Sequence, residues 1–211
     1  MGKIKRGILG GFSGKVANII GGSWKGIAYM RSQPLSVSNP NTAGQQAQRN
    51  AMSGVVFFAL QILAATIKPC WDRFAQQMSG YNAFVQQNIE FFDENGPTDY
   101  SALVTSQGSL LGQSIDTAQS NDGTTEVEVQ WTDNAPTGNA SSDDEAYVVC
   151  VNEDQYMFAQ NGGAETRGDE QVNIDMPSEN TSGDNISTYL AFRKADGTIV
   201  SNSTYDQTAT T

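Results

Sequence analysis

Six consecutive residues, Glu126-Val127-Glu128-Val129-Gln130-Trp131, alternate polar and apolar side chains without a break. A side-chain period of two places one face against a core and leaves the other to water, the pattern of a half-buried antiparallel strand. Further short runs suited to strands fall at 101–106, 146–152, 156–159, 171–176, 187–192 and 198–203. Asn152-Glu153-Asp154-Gln155 and Ala195-Asp196-Gly197-Thr198 read as hairpin turns, the second with the Asp-Gly signal. Short strands at this spacing predict that residues 96–211 form an immunoglobulin-like β-sandwich, with Trp131 in its core.

The segment before it has a different period. Asn39-Pro40-Asn41-Thr42 offers stop and cap chemistry, and from Gln45 to Ile67 the residues favour helix. Val55, Phe58, Ile62 and Ala65 keep three- and four-residue spacing, and Pro69 is expected to end the run. A second helical stretch is expected over 71–78, with Ser79 capping a continuation over 80–92. Trp71, Phe74, Met78, Tyr81, Phe84, Val85, Ile89 and Phe92 form its apolar stripe, read as core packing. Residues 39–95 are therefore a predicted helical hairpin, and Asn95-Gly96-Pro97-Thr98 a turn that marks a domain boundary.

Residues 1–38 open the chain with glycine at 2, 7, 10, 11, 14, 21, 22 and 26, a density that disfavours helix. The runs 15–20 and 27–31 suit short strands, with Gly21-Gly22 as the turn between them. This predicts an extended, glycine-rich β arm able to add strands to a partner's sheet. The expected fold class is thus α+β, with three segments: arm, helical hairpin and sandwich.

Charge divides the chain. Residues 1–99 carry nine Lys or Arg against five acids, a net of +4, and residues 100–211 carry three bases against eighteen acids, a net of −15. No acid precedes Asp72. A basic arm on an acidic domain suits either an acidic partner or a neighbouring copy. Nucleic acid is the weaker reading, because the bases are spread out and a chain of net charge −11 repels phosphate. The bland alternative is a solvated charge pattern that only keeps the protein soluble.

The chain contains no histidine, which removes Ser-His-Asp and Cys-His arrangements and the commonest metal ligand. Cys70 and Cys150 are too few for a structural zinc site and read as free, buried thiols. Gly10-Gly11-Phe12-Ser13-Gly14-Lys15 fails as a phosphate loop, because position 9 is Leu and Val16 follows the lysine. The acidic stretches Ser142-Asp143-Asp144-Glu145 and Asn152-Glu153-Asp154 lack EF-hand spacing and read as solvated loops. No catalytic, cofactor or metal residue is assigned. The start Met1 to Arg6 resembles a signal-peptide n-region, but glycines interrupt the apolar part that should follow. The longest apolar stretch, 55–67, is too short to cross a bilayer. A soluble chain with no N-terminal export signal is expected.

Gly7-Ile8-Leu9-Gly10-Gly11-Phe12-Ser13-Gly14-Lys15-Val16, Trp24-Lys25-Gly26 and Arg31-Ser32-Gln33-Pro34 together form a signature. It resembles the opening of a family of uncharacterised proteins found in Bacteroidota genomes and their phages. Gln48-Arg49, Tyr81-Asn82-Ala83, Ser106-Gln107-Gly108-Ser109-Leu110 and Val200-Ser201-Asn202-Ser203 are similar as well, and Ala17 stands where a glycine is expected. The resemblance implies helical and sandwich-like parts and a phage or phage-like particle, with no activity to carry over.

The expected role is a non-enzymatic structural subunit of a virion or particle (head decoration, head fibre, neck or tail), found in the virion or in the host cytoplasm before assembly. Its arm would anchor it through Lys3, Lys5, Arg6, Phe12, Lys15, Trp24, Lys25 and Arg31. The expected partners are copies of the chain and other particle proteins, with no small-molecule substrate and no membrane. The alternative is a monomeric sandwich that binds carbohydrate or protein through an aromatic cluster of Tyr147, Tyr156, Phe158 and Tyr189.

Overall fold

A computed structural model describes residues 3–4, 11–36 and 41–211, the first pair by backbone alone. The fold is α+β with antiparallel sheets. It divides into two compact units, Met1–Thr42 and Ala43–Thr211.

The first unit is an antiparallel sheet in sequence order: β1 (Lys3–Ile4), β2 (Phe12–Val16), β3 (Ile19–Trp24) and β4 (Ile27–Ser32). Its turns are Ala17-Asn18 and Lys25-Gly26, where Ala17, Lys25 and Gly26 take φ of 50°, 47° and 84°. Left-handed residues at a two-residue turn match the twist of the strands they join. Gly21-Gly22 is not the turn expected for it, and 15–20 is not one strand. Both glycines lie inside β3 because ring-bearing residues occupy the space a side chain would need. A Cβ on Gly21 would meet the Phe12 ring at 2.8 Å, and one on Gly22 the Tyr29 ring at 2.9 Å.

The second unit has three layers. α1 (Ala43–Gln61) begins as expected after Thr42, whereas Asn39 and Pro40 lie outside the described residues. The expected break at Pro69 falls instead at Ile62 (φ −105°, ψ 9°), where the helix bends by 70°. A π turn over Leu63–Ile67 follows, with Ile67 N–H donating to Ile62 O at 3.0 Å. Such widened turns are a recognised cause of kinks. Pro69 then sits in the first turn of α2 (Lys68–Trp71), where a missing N–H is tolerated. Residues 72–78 are turns rather than the expected helix, and Met78 is exposed rather than in the core stripe. α3 (Gly80–Asn88) starts on Ser79, whose hydroxyl accepts the Asn82 N–H at 3.3 Å, as the cap reading required. Gly80 is fixed there by space, since a Cβ would lie 2.6 Å from the Asp72 backbone N.

A small hairpin, β5 (Phe92–Asp93) and β6 (Gly96–Pro97), packs on α1. After this hairpin and a loop come the strands of the other two layers: β7 (Thr117–Ser120), β8 (Glu126–Gln130), β9 (Glu145–Asn152), β10 (Met157–Gln160), β11 (Glu165–Thr166), β12 (Gln171–Asp175), β13 (Asn185–Arg193) and β14 (Thr204–Ala209). One sheet runs β12-β8-β7, the other β10-β9-β13-β14 with β11 beside β9. The expected strands at 101–106 and 198–203 are instead a short 3-10 turn with loop and two isolated bridges. β7 and β14 carry the pairing that those segments were expected to supply.

The larger sheet is the middle layer. Ala146, Val148 and Cys150 of β9, with Ile186, Leu190 and Phe192 of β13, pack against Val127, Val129, Trp131, Val172 and Ile174. On the opposite face Tyr147, Val149, Val151 and Tyr189 pack against the helices. Phe58 of α1 centres that second core, with rings of Phe84, Phe92 and Phe158 at 6.2, 5.7 and 5.1 Å. Trp71 Nε1 donates to Thr105 O and Tyr189 Oη to Tyr100 O, each at 2.7 Å. Helices and strands therefore share one core, and Asn95–Thr98 is a turn inside the second unit rather than a boundary between 39–95 and 96–211.

Candidate assembly surface

Register fixes which side chains of the N-terminal sheet share a face. On one face, Lys15, Ile20 and Arg31 lie in one row across β2, β3 and β4. The next two rows pair Gly22 with Tyr29 and Trp24 with Ile27. Lys15 and Arg31 are exposed, and Trp24, Ile27 and Tyr29 are 69%, 70% and 46% exposed. Lys25 Nζ lies 5.8 Å from the Trp24 ring centroid, a cation–π geometry at the adjoining turn. The face is thus both basic and apolar.

The other face has no charged residue in the ladder of β2, β3 and β4: Gly14–Gly21–Met30, Val16–Ile19–Ser32 and Ser23–Ala28. Gly14 (φ 102°) turns the chain so that Phe12 covers Gly21 and Gly11 comes against Ala28, leaving 3.0 Å for a Cβ. Among the expected arm residues, Phe12 is thereby an internal packing residue, and Lys15, Trp24 and Arg31 share the basic face with Lys25 beside it. Lys3 has a backbone position in β1 opposite Ser13, and Lys5 and Arg6 lie outside the described residues. Sequence reading missed Ile27 and Tyr29, which only register places between the two bases. Among the described residues, no buried hydrophobic cluster contains a residue of this sheet.

The second unit offers little that could do chemistry. Burial pushes the thiols of Cys70 and Cys150 up to about 12, so neither is a thiolate at neutral pH. Both are free and buried, as expected. Among the described residues no three Cys, Asp or Glu side chains converge as metal ligands. An open groove of about 680 Å³ runs along α3, with Trp71, Phe74 and Met78 beside Gln76, Gln86 and Gln107. Tyr147 and Tyr189 are buried, Phe158 packs on the helix core, and Tyr156 stacks on Phe57 at 5.5 Å. The four aromatics do not form an exposed platform.

One acidic loop is not solvated. Asp144, 0% exposed, pairs with the fully buried Arg167 at 3.2 Å. Arg167 also donates to Asn134 Oδ1 at 2.6 Å and Leu111 O at 2.8 Å, and lies 3.8 Å from the Phe192 ring centroid. Its own carbonyl accepts the Trp131 indole N–H at 2.9 Å. Burial lowers the Arg167 pKa, and Asp144 opposes that shift. The only trace in the sequence is that Arg167 is the sole base between residues 74 and 192.

A model of one protein family, described as a Family of unknown function (DUF6266), matches residues 11–206. No curated protein and no solved structure matches the chain.

Proposed function

The chain belongs to the DUF6266 family, whose function is unknown, and from that premise we propose that it is a non-enzymatic structural subunit that joins a larger assembly through its N-terminal sheet. One observation carries this reading: the sheet exposes Trp24, Ile27, Tyr29, Met30, Val16 and Ile19, while no buried hydrophobic cluster among the described residues includes any of its side chains. A small sheet needs a hydrophobic face packed on something to be stable in water. An exposed apolar face that also carries bases, as Trp24, Ile27 and Tyr29 do beside Lys15 and Arg31, is an ordinary mark of a protein–protein contact.

The second unit would supply the folded body of such a subunit. Its two large sheets bury a common core and run in the order first-second-fifth and fourth-third-sixth-seventh when β11 is set aside. We read this as an immunoglobulin-like sandwich in which the fourth strand has moved to the sheet of the third, covered on one side by helices. A phage or phage-like particle is the setting that the sequence resemblance implies. Among the described residues, no single helix is long and apolar enough to cross a membrane.

Light scattering on the full chain and on a chain lacking residues 1–42 tests the reading. The full chain should form oligomers and the shortened chain a monomer that keeps its fold. Two monomers of equal stability, with no partner retained by the sheet, would sink it.

A further inference from the structure

The outward side of the three-stranded sheet is a second flat surface of opposite sign. Glu126, Glu128 and Gln130 of β8 face outward beside Gln171, Asn173 and Asp175 of β12, because Val127, Val129, Val172 and Ile174 point inward. Asp175 stands directly opposite Glu126, and Asn173 opposite Glu128. Like charges in direct cross-strand register repel. None of the three ion pairs among the described residues involves these acids. This face carries three acids in register and no base.

We infer that the basic, aromatic face of the N-terminal sheet packs on this acidic face of a second copy of the chain, giving a head-to-tail contact. The inference rests on the proposed assembly role and names the partner of that surface. Charge selects the occupant. Residues 1–42 carry six bases and no acid, while 43–211 carry six bases against twenty-three acids, a net of −17. Lys15 and Arg31 stand in one row, separated by one strand, and meet Glu126, Glu128 and Asp175 as a sheet packs on a sheet. Trp24, Ile27 and Tyr29 supply the apolar contact that ion pairs at a rim do not. Such a contact uses two different patches of each molecule, so copies join in rings or filaments rather than closed pairs.

Charge reversal separates this contact from other ways of assembling. The Lys15→Glu/Arg31→Glu chain and the Glu126→Lys/Asp175→Lys chain should each lose association by about tenfold or more, since like-charge juxtaposition is costly. Mixing the two makes both contacts between unlike chains complementary in charge and should restore association, with the two variants alternating. Trp24 gives an independent readout in the unaltered protein, because Trp71 and Trp131 are buried and Trp24 is not. Acrylamide quenching of Trp24, isolated by comparison with Trp24→Phe, should fall as protein concentration rises. If the full chain assembles and either reversal leaves association unchanged, the inference is overturned and the assembly role stands. If the full chain stays monomeric and Trp24 remains quenchable at all concentrations, both fall. If the basic face instead binds a single-stranded oligonucleotide with a steep salt dependence while copies do not associate, the partner is nucleic acid and the inference is overturned.

Discussion

β4 and β13 are both antiparallel strands, yet every residue of Ile27–Ser32 is exposed whereas seven consecutive residues of Asn185–Arg193 are buried. The residues do not explain the contrast, since Ile-Ala-Tyr-Met is no less apolar than Ile-Ser-Thr-Tyr. Layering does. β13 lies in a sheet covered by helices on one face and by a second sheet on the other. β4 closes a sheet with an uncharged face and a basic one, neither of which holds a buried cluster of its own. Strands of similar composition are buried on both faces in one unit and left exposed in the other.

The largest expected effect comes from the covered side. Phe58→Ala should cost about 3–5 kcal/mol in urea unfolding of the Ala43–Thr211 unit, because it empties the centre of the helix–sheet core. Trp24→Ala should leave that transition within about 0.5 kcal/mol, as surface substitutions do. Equal losses from both would erase the contrast.

Arg167→Met comes next. It leaves Asp144 buried without its cation, a loss of about 3–5 kcal/mol by the same measurement. Adding Asp144→Leu should recover most of that loss if the pair contributes specificity more than stability.

High pH offers a third, smaller probe. Burial raises Cys70, Cys150 and Tyr147 to about 12 and also raises Tyr100 and Tyr189. In an unfolded chain cysteine ionises near about 8.5 and tyrosine near about 10. The folded state then holds protons that the unfolded state has lost, so stability is full below about pH 8.5 and declines as pH rises toward 12. The decline should appear in near-ultraviolet circular dichroism of the buried tyrosines. A flat profile to pH 11 would show that these rings are not desolvated.

The smallest effect sharpens the other side of the comparison. Ala17 holds φ of 50°, a left-handed position that costs a residue with a Cβ about 1–2 kcal/mol. Ala17→Gly should therefore stabilise the β2–β3 hairpin by about 0.5–1 kcal/mol after the entropy of glycine is counted. Slower hydrogen exchange at Ile19 and Ile20 would report it, with no change in β9 or β13.

Several elements were legible locally. The alternation of Glu126–Gln130 sets which side chains point inward, and Trp131 is buried as read. Ser79 caps its helix, Ala195–Thr198 turns, and the α+β class follows from the change of period. These readings depend on neighbours within four residues. Others failed because the deciding partner is remote in sequence. Thr204–Ala209 looks like a polar tail until β13 supplies its ladder. Asp144 looks solvated until Arg167 arrives from 23 positions away.

The sequence alone determined the periods, the helix cap at Ser79, the turn at Asp196-Gly197, the absence of histidine chemistry and the separation of charge along the chain, because each is a property of composition or of adjacent residues. The tertiary structure decided that helices and strands share one core, that Gly21 and Gly22 lie under aromatic rings, and that Lys15, Tyr29 and Arg31 share a face with Trp24. Those outcomes depend on strand register and on the layer above each sheet, and hydrogen bonding across strands joins residues that no local pattern relates.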